Sequence, residues 1–366
     1  MVAILVLPYW SLYAQPRFDF YGNMVVLPVL SSADEQGLVN GTVPDPVKKM
    51  LLTGQESFHL GDWSTVLFLK KYVAAQLPAK TKNEQAKALS ALLSLAGLNH
   101  ATASRKDGTQ QVLVNVGGTF YYSALTLKQD GMRLIAPEVR LDEDVQDITP
   151  VLMKGKNICL DAPAPELSGS DYRRKTCTFF NIATDAEDSI EFRYSPRYIN
   201  FSHDFPMSIR GDGYKNYPVS AGFKSSLFQA LDKKIAVCKN KTDSMRFVLR
   251  FAQSAIESGD NEDMFGYAGY PSYPEHTLSL AEGDCDDKCC LYVFLLKKYF
   301  PAQAVVMLYY KEHLQVGVAD TMFDGATEGY VLYKGRKYMV AETMDSVGEL
   351  GTVFNTLGQP LAIYEE

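Results

Sequence analysis

What the chain lacks narrows its function first. It has no surplus of positive charge: 36 Lys and Arg stand against 43 Asp and Glu, for a formal net charge of −7, and its pI is near 5.4. Without a positive field to hold phosphates, nucleic-acid binding and polybasic attachment to a membrane surface are disfavoured. Cysteine is sparse, 6 in 366 residues, too few for a disulfide scaffold at this length. No segment past the amino terminus approaches the ~20 consecutive apolar residues that a transmembrane helix needs. Tryptophan is rare, 2 against 22 tyrosines, a balance that favours a sheet-rich protein. What is there is ordinary for a folded protein. With 46% hydrophobic and 22% charged residues, the chain is too apolar for disorder and can build cores in two or three domains.

The amino terminus also lacks charge, with none from Met1 to Pro16. Val2 to Leu7 is a short apolar run ended by Pro8, and Ser11-Leu-Tyr-Ala14 sets small residues before Gln15. Residues 1–14 are therefore signal-peptide-like and imply an exported, periplasmic or cell-surface protein. The basic segment that normally opens such a signal is missing, so a buried first strand is the alternative.

Three regions follow. Residues 15–145 read as a mixed α/β accessory domain. Arg17 to Pro46 is strand and loop, and a helical stretch opens at Val47. Val66, Leu69, Val73 and Leu77 then fall at helical spacing before Pro78, and Asn83 to Leu95 forms a further helix stopped at Gly97. Gln111–Val116 and Thr119–Ser123 around Gly117-Gly118 read as a hairpin. Residues 146–235 are expected to be β-rich, with Ala162–Pro165 as a connector and strands at Thr176–Ile182, Ser189–Tyr194 and Tyr198–Phe201. Residues 236–366 carry the chemistry.

Its centre is Glu282-Gly-Asp-Cys-Asp-Asp-Lys-Cys-Cys290. Asp284 is a natural N-cap and Asp287 stands where a capping box places its acidic partner. The apolar run that follows predicts a helix buried nearly all round. Cys285 falls in its first turn, where backbone N–H groups favour a thiolate. Three neighbouring aspartates oppose one, so a nucleophilic Cys285 needs a cationic partner. His313 opens the alternating strand Leu314–Asp320, on whose other face it sits with Gln315 and Gly317. Glu342 ends the strand from Lys337. If these strands pair antiparallel, residues near their ends face each other. Nucleophile, base and orienting carboxylate are the parts of an acyl-transfer site.

Gly283–Lys288, His313 with Val316-Gly-Val318, and Gly335, Tyr338 and Ala341-Glu-Thr343 together resemble the transglutaminase-like (papain-fold cysteine protease-like) superfamily. Phe247–Ser254 and Tyr273–Leu278 look like the segments that precede its cysteine. The resemblance covers about residues 239 to 350, a third of the chain. The layout, with Phe18–Gly22 after the signal and Gly61-Asp-Trp63 opening a helix, is similar to exported Bacteroidetes proteins of this type. The resemblance implies an α+β fold with a papain/transglutaminase-like C-terminal domain. It implies a catalytic triad of Cys285, His313 and Glu342, with Gln253 as an oxyanion donor beside the Cys285 amide. The implied substrate is a protein, peptide or cell-wall component, and no cofactor is called for. The rival expectation is a catalytically inactive relative that binds protein or glycan.

Other patterns weigh less. A cysteine at a buried helix start is by default a core residue, and Cys289 and Cys290 read as helix packing. Asp284, Asp286 and Asp287 diverge around one turn and no second Cys or His stands at zinc spacing, so no metal is expected. Gly259–Asp263 lacks the calcium-loop pattern, Arg210-Gly-Asp212 is a chance tripeptide, and Asn200 and Asn240 head glycosylation sequons. Cysteine pairing is left open. Finally, Asn83 to Thr126 repeats the order helix, glycine, strand, strand of the C-terminal region. It suggests a degenerate, non-catalytic copy with Asn83 in the nucleophile's place.

Overall fold

The structure, a computed structural model, describes residues 15–117, 127–129, 132–137, 145–152, 154–160, 165, 167, 171–205, 218–259, 272–344, 348–352 and 357–365. The signal-like segment 1–14, the hairpin arm at 119–123, most of the 162–165 connector, Arg210-Gly-Asp212 and residues 260–263 lie outside them. The protein is a mixed α+β chain that divides into two compact units. The first holds the described residues within Met1–Gly118, Tyr122–Ser170 and Asp204–Pro206, the second those within Asp171–His203 and Met207–Glu366. These boundaries differ from the three regions expected. The stretch 146–235 does not form a body of its own: its described residues up to 167 and at 204–205 belong to the first unit, whose sheet its first strand joins, and the rest belong to the second.

The first unit opens with a hairpin of β1 (Arg17–Phe20) and β2 (Asn23–Val26). Tyr21 and Gly22 between them have φ of 48° and 84°, both left-handed, as the tightest two-residue hairpin turn requires. Four helices follow: α1 (Ser32–Val39), α2 (Asp45–Phe58), α3 (Asp62–Gln76) and α4 (Lys82–Leu95). Helix α1 falls where loop was expected. Its start is a capping box between Ser31 and Asp34, but only Leu38 and Val39 are buried, so no apolar stripe announces it. Helix α3 is buried on nearly every side, with Phe68 packed edge-on to Phe18 and Phe20 at 5.3 Å. Helix α4 is capped by Thr81 and Glu84. Beyond it come β3 (His100–Arg105), β4 (Gln110–Asn115), β5 (Leu127–Gln129), β6 (Met132–Ile135) and β7 (Val145–Leu152). They form an antiparallel sheet in the order β5-β6-β4-β3-β7.

The second unit begins with one long hairpin, β8 (Arg173–Asn181) and β9 (Ala186–Tyr194). Its alternation is that of a half-buried sheet: Cys177, Phe179, Ile190 and Phe192 point inward. The expected strand at Tyr198–Phe201 is instead helix α5 (Pro196–His203). Pro196 has the fixed φ that suits a first turn, and Tyr198, Phe201 and Ser202 form the buried stripe of a helix, not the every-second pattern of a strand. Helices α6 (Ala221–Ile235) and α7 (Lys241–Ser254) cover the hairpin. Phe192 meets Phe223 at 5.8 Å, and Phe179 meets Phe247 and Phe251 at 5.7 and 5.1 Å. So this segment is a hairpin under helices rather than a β-rich region.

The strand β10 (Glu257–Ser258), helix α8 (Pro274–Ser279) and strand β11 (Glu282–Gly283) lead into α9 (Cys285–Tyr299). Then follow β12 (Ala304–Tyr309), β13 (Leu314–Ala319), β14 (Tyr330–Tyr333), β15 (Arg336–Ala341) and β16 (Ala362–Glu365). The sheet order is β14-β15-β13-β12-β16, again antiparallel throughout. Counted from the capped helix, both sheets place their strands third, fourth, second, first and fifth. The order of elements read from the sequence thus extends to the whole sheet. All of β13 is buried, since it is the central strand and apolar groups cover both faces. At Gly317 an added Cβ would come within 2.6 Å of Val306 Cγ2, which explains the glycine.

Candidate active site

The site is built where the start of α9 meets the start of β13. Asp284 caps the helix: its carboxylate accepts from the N–H groups of Asp286 and Asp287, while Asp287 accepts in return from the N–H of Asp284. This is the reciprocal box expected from the sequence. From Asp287 to Leu296 every residue is buried. The helix is therefore anchored along its length, and Cys285 is held at its first position. The N–H of Cys285 is not used by the cap and is one of the helix-start donors with no partner inside the helix.

Cys285 lies against the backbone of Leu314, the residue after His313. One turn further along, Cys289 Sγ donates to Leu314 O at 3.4 Å and lies 3.3 Å from Thr343 Oγ1. These two cysteines bracket the first residue of β13. All six cysteines of the chain are free thiols.

The two strands that carry the other candidates pair as expected, antiparallel, with Val316 opposite Ala341. Continuing that register sets Gln315 opposite Glu342 and leaves His313 as the diagonal neighbour, within reach of a long side chain. Glu342 is fully buried, and both its oxygens are engaged. Oε2 accepts from His313 Nε2 at 2.7 Å and from Gln315 Nε2 at 2.6 Å, and Oε1 accepts from the N–H of Met344 at 2.7 Å. Burial alone would raise its pKa, but those three donors outweigh it and hold Glu342 below the usual carboxylate range. An ionised Glu342 fixes the imidazole with its proton on Nε2, which leaves Nδ1 as the nitrogen with a free lone pair. Nδ1 has no hydrogen-bond partner among the described residues.

The thiol has a different neighbour. Cys285 Sγ donates to Asp286 Oδ1 at 3.6 Å, and no hydrogen bond joins it to His313. Burial, then the charges of Asp286 and Asp284, push its pKa far above that of a free thiol. Cys285 is thus a neutral thiol at rest. Asp286 is itself raised to about 6, by burial and by Asp284, with the thiol and His313 pulling the other way. Asp287 is raised by the same two causes. Lys288, buried beside it, is lowered to about 8 by desolvation and spends its ammonium on Gln253 O and Ser258 Oγ at 2.8 and 2.9 Å.

Gln253 does not have the role expected of it. Its Nε2 donates to Glu342 O at 2.7 Å and Gly348 O at 2.8 Å, so both amide hydrogens are consumed. The remaining Oε1 is an acceptor and cannot stabilise an oxyanion. Gln253 instead ties down the backbone that carries Glu342. Two residues of the site were not singled out from the sequence. Gln315 shares the face of His313 in the strand pattern, and its polarity at a buried centre was the available signal. Asp286 was read only as a like charge near the thiol. Among the described residues no cluster of His, Cys, Asp or Glu could hold a metal, and no helix is long and apolar enough to cross a membrane. Comparison with family models, with curated proteins and with solved structures finds no match for this chain.

Proposed function

We propose that the second unit is a transglutaminase-like domain that performs cysteine-dependent acyl transfer or amide hydrolysis through Cys285, His313 and Glu342. The observation that carries this reading is the His313–Glu342 pair at 2.7 Å, its half-buried imidazole held by a buried Glu342 that Gln315 also binds, beside a cysteine at the first turn of a capped helix. A fully buried carboxylate costs stability unless it is satisfied, and here it serves to orient an imidazole whose second nitrogen is open. In the proposed reaction His313 Nδ1 takes the Sγ proton as Cys285 attacks a carboxamide or peptide carbonyl. The Cys285 N–H receives the oxyanion. His313 then returns the proton to the leaving amine, leaving a thioester, and water or an amine resolves it to release Cys285. Because the resting thiol is neutral and bonded to Asp286, His313 acts as a general base on substrate binding rather than as half of a standing ion pair. A protein, peptide or cell-wall substrate outside the cytoplasm fits this reading with the signal-like segment.

The contact of Cys285 with Asp286 favours a second reading, a catalytically silent domain that binds protein or glycan. Acid quenching during incubation with peptide amides, followed by intact-mass spectrometry, separates the two. The enzyme reading expects a thioester on the wild-type chain that is absent from Cys285→Ala. If no acyl adduct forms and Cys285 is alkylated by iodoacetamide no faster than an ordinary thiol at any pH, the binding module stands instead.

A further inference from the structure

Lys288 lies one turn beyond Cys285 on α9 and is 1% exposed. Its N–H closes that first turn on Asp284 O at 3.2 Å, so both side chains leave one rigid piece of helix. An ammonium so buried is costly unless it is hydrogen-bonded. Burial lowers the Lys288 pKa to about 8, with the charge of Asp287 pulling the other way. Its two acceptors stand on other elements: Gln253 O near the end of α7 at 2.8 Å, and Ser258 Oγ in β10 at 2.9 Å.

From both acceptors the hydrogen bonds run on to one short stretch, residues 342–344. Gln253 Nε2 donates to Glu342 O at 2.7 Å. Ser258 Oγ donates to Met344 O at 3.2 Å, and Met344 N donates to Glu342 Oε1 at 2.7 Å. One branch thus ends on the Glu342 backbone and the other on its carboxylate, which holds His313 Nε2. The matching helix of the first unit is bonded differently. Counted from the helix cap, Lys82 stands where Cys285 stands, in place of the expected Asn83, and Gln85 stands where Lys288 does. Gln85 Nε2 turns back to Leu77 O at 2.8 Å and Lys80 O at 3.4 Å, before its own helix. Asn83 ties the turn before β4, accepting from Gln110 N at 2.7 Å.

We infer that Lys288 is a positioning residue: its ammonium sets where the Glu342 carboxylate, and with it the His313 imidazole, stand relative to Cys285. It acts through Gln253 and Ser258 rather than on the reacting atoms. Its bearing on rate rests on the acyl-transfer reading of Cys285, His313 and Glu342; its hold on the His313–Glu342 pair does not. Two readouts on the full chain test it. The first is histidine ¹⁵N NMR with the imidazole neutral, the His313 signals being those missing from His313→Gln. The wild type should show the proton fixed on Nε2, and Lys288→Met, which keeps the side-chain length without the charge, should move the signals toward a mixture of the two tautomers. Ser258→Ala, an exposed change that cuts one branch, should move them the same way but less. The second is single-turnover acylation. It should fall by about tenfold to a hundredfold in Lys288→Met, the scale of a misplaced reacting group, and by less in Ser258→Ala, with substrate affinity unchanged in both. A wild type that forms no thioester ends the acyl-transfer reading, and the tautomer signals then decide on Lys288 by themselves. If Lys288→Met does not fold, Ser258→Ala carries both readouts. Unmoved His313 signals in every folded variant, or an acylation loss that is only weaker substrate binding, would overturn the inference.

Discussion

The two five-stranded sheets follow a capped helix in the same strand order, yet among the described residues only the second sets a cysteine, a histidine and a glutamate where helix and sheet meet. Lys82 stands in place of Cys285, Thr109 precedes β4 as His313 precedes β13, and Ala136 follows β6 as Glu342 follows β15. The pairing differs in detail: Val114 stands opposite Ile135 in the first unit, so continuing that register sets Ala136 opposite Leu113, whereas Glu342 falls opposite Gln315. In the second unit the same corner contains Glu342, His313 and Gln315, whose desolvation must be offset by three hydrogen bonds to one carboxylate.

The comparison can be broken at its strongest point by removing the base. His313→Gln removes the imidazole that stands just before β13, where the first unit has Thr109 before β4, and thioester formation should fall by roughly a thousandfold or more. Single-turnover acylation measures it, and an unchanged rate would mean that His313 is not the base.

A second contrast is in pH dependence. Glu275, 1% exposed, accepts from Ser195 N, Ser220 N and Ser220 Oγ at 2.7, 2.6 and 2.8 Å, yet burial prevails and raises its pKa to about 7. A folded-state value above the unfolded one means that the native state binds the extra proton. The stabilisation is complete below 4.5, the ordinary value for a glutamate, and is lost as pH rises through about 7. Relative to Glu275→Gln, the wild type should therefore lose stability across that window, by on the order of 3 kcal/mol at most. His100 of the first unit, lowered by burial, runs the opposite way, losing its contribution as pH falls below the ordinary histidine range. Denaturant melts of both chains against pH, with hydrogen exchange to separate the units, check the signs. A flat difference between wild type and Glu275→Gln would remove Glu275 as the cause.

A smaller effect sharpens the account of Glu342. Gln315→Leu leaves His313 and Met344 on the carboxylate but removes one donor, so acylation should drop by about tenfold and not vanish. An acylation rate equal to the wild type's would show that the Gln315 bond to Glu342 does not bear on the reaction. The smallest change is Asp286→Asn. It removes a like charge and an acceptor from the thiol, so Cys285 should be alkylated a few-fold faster at neutral pH than in the wild type. A slower rate would show that Asp286 assists the cysteine rather than restraining it.

Much of the architecture was legible in local patterns. Helices α3 and α4 followed from apolar spacing and stop signals, and α9 from Asp284, Asp287 and the apolar run between Cys289 and Leu296. Antiparallel pairing of the strands bearing His313 and Glu342 also followed. Tyr198–Phe201 was misread because a four-residue window of β-formers cannot distinguish two periods; the helix is decided by Pro196 and by burial of Tyr198 and Phe201. Helix α1 was missed because its cap, Ser31 with Asp34, precedes a segment with almost no apolar face. Gln253 was assigned an oxyanion role that its two carbonyl acceptors exclude.

By itself, the sequence determined the local terms: where helices start and stop, which strands alternate, and that Cys285 stands at a helix start with His313 and Glu342 on strand ends. Those depend on residues within a few positions of each other, where propensity, capping and periodicity act. The tertiary structure alone decided that Gln315 shares Glu342 with His313, that Cys285 rests on Asp286, and that Gln253 serves the Glu342 backbone. It also decided that the first sheet repeats the second strand for strand. Each of these depends on register and burial across long separations, where a shift of one residue turns every side chain to the other face. The scarcity of positive charge that disfavours phosphate binding across the whole chain is also local in its meaning. Lys70, Lys82 and Arg105, spread over 36 positions of sequence, come to line one cavity only when α3, α4 and β3 are folded together.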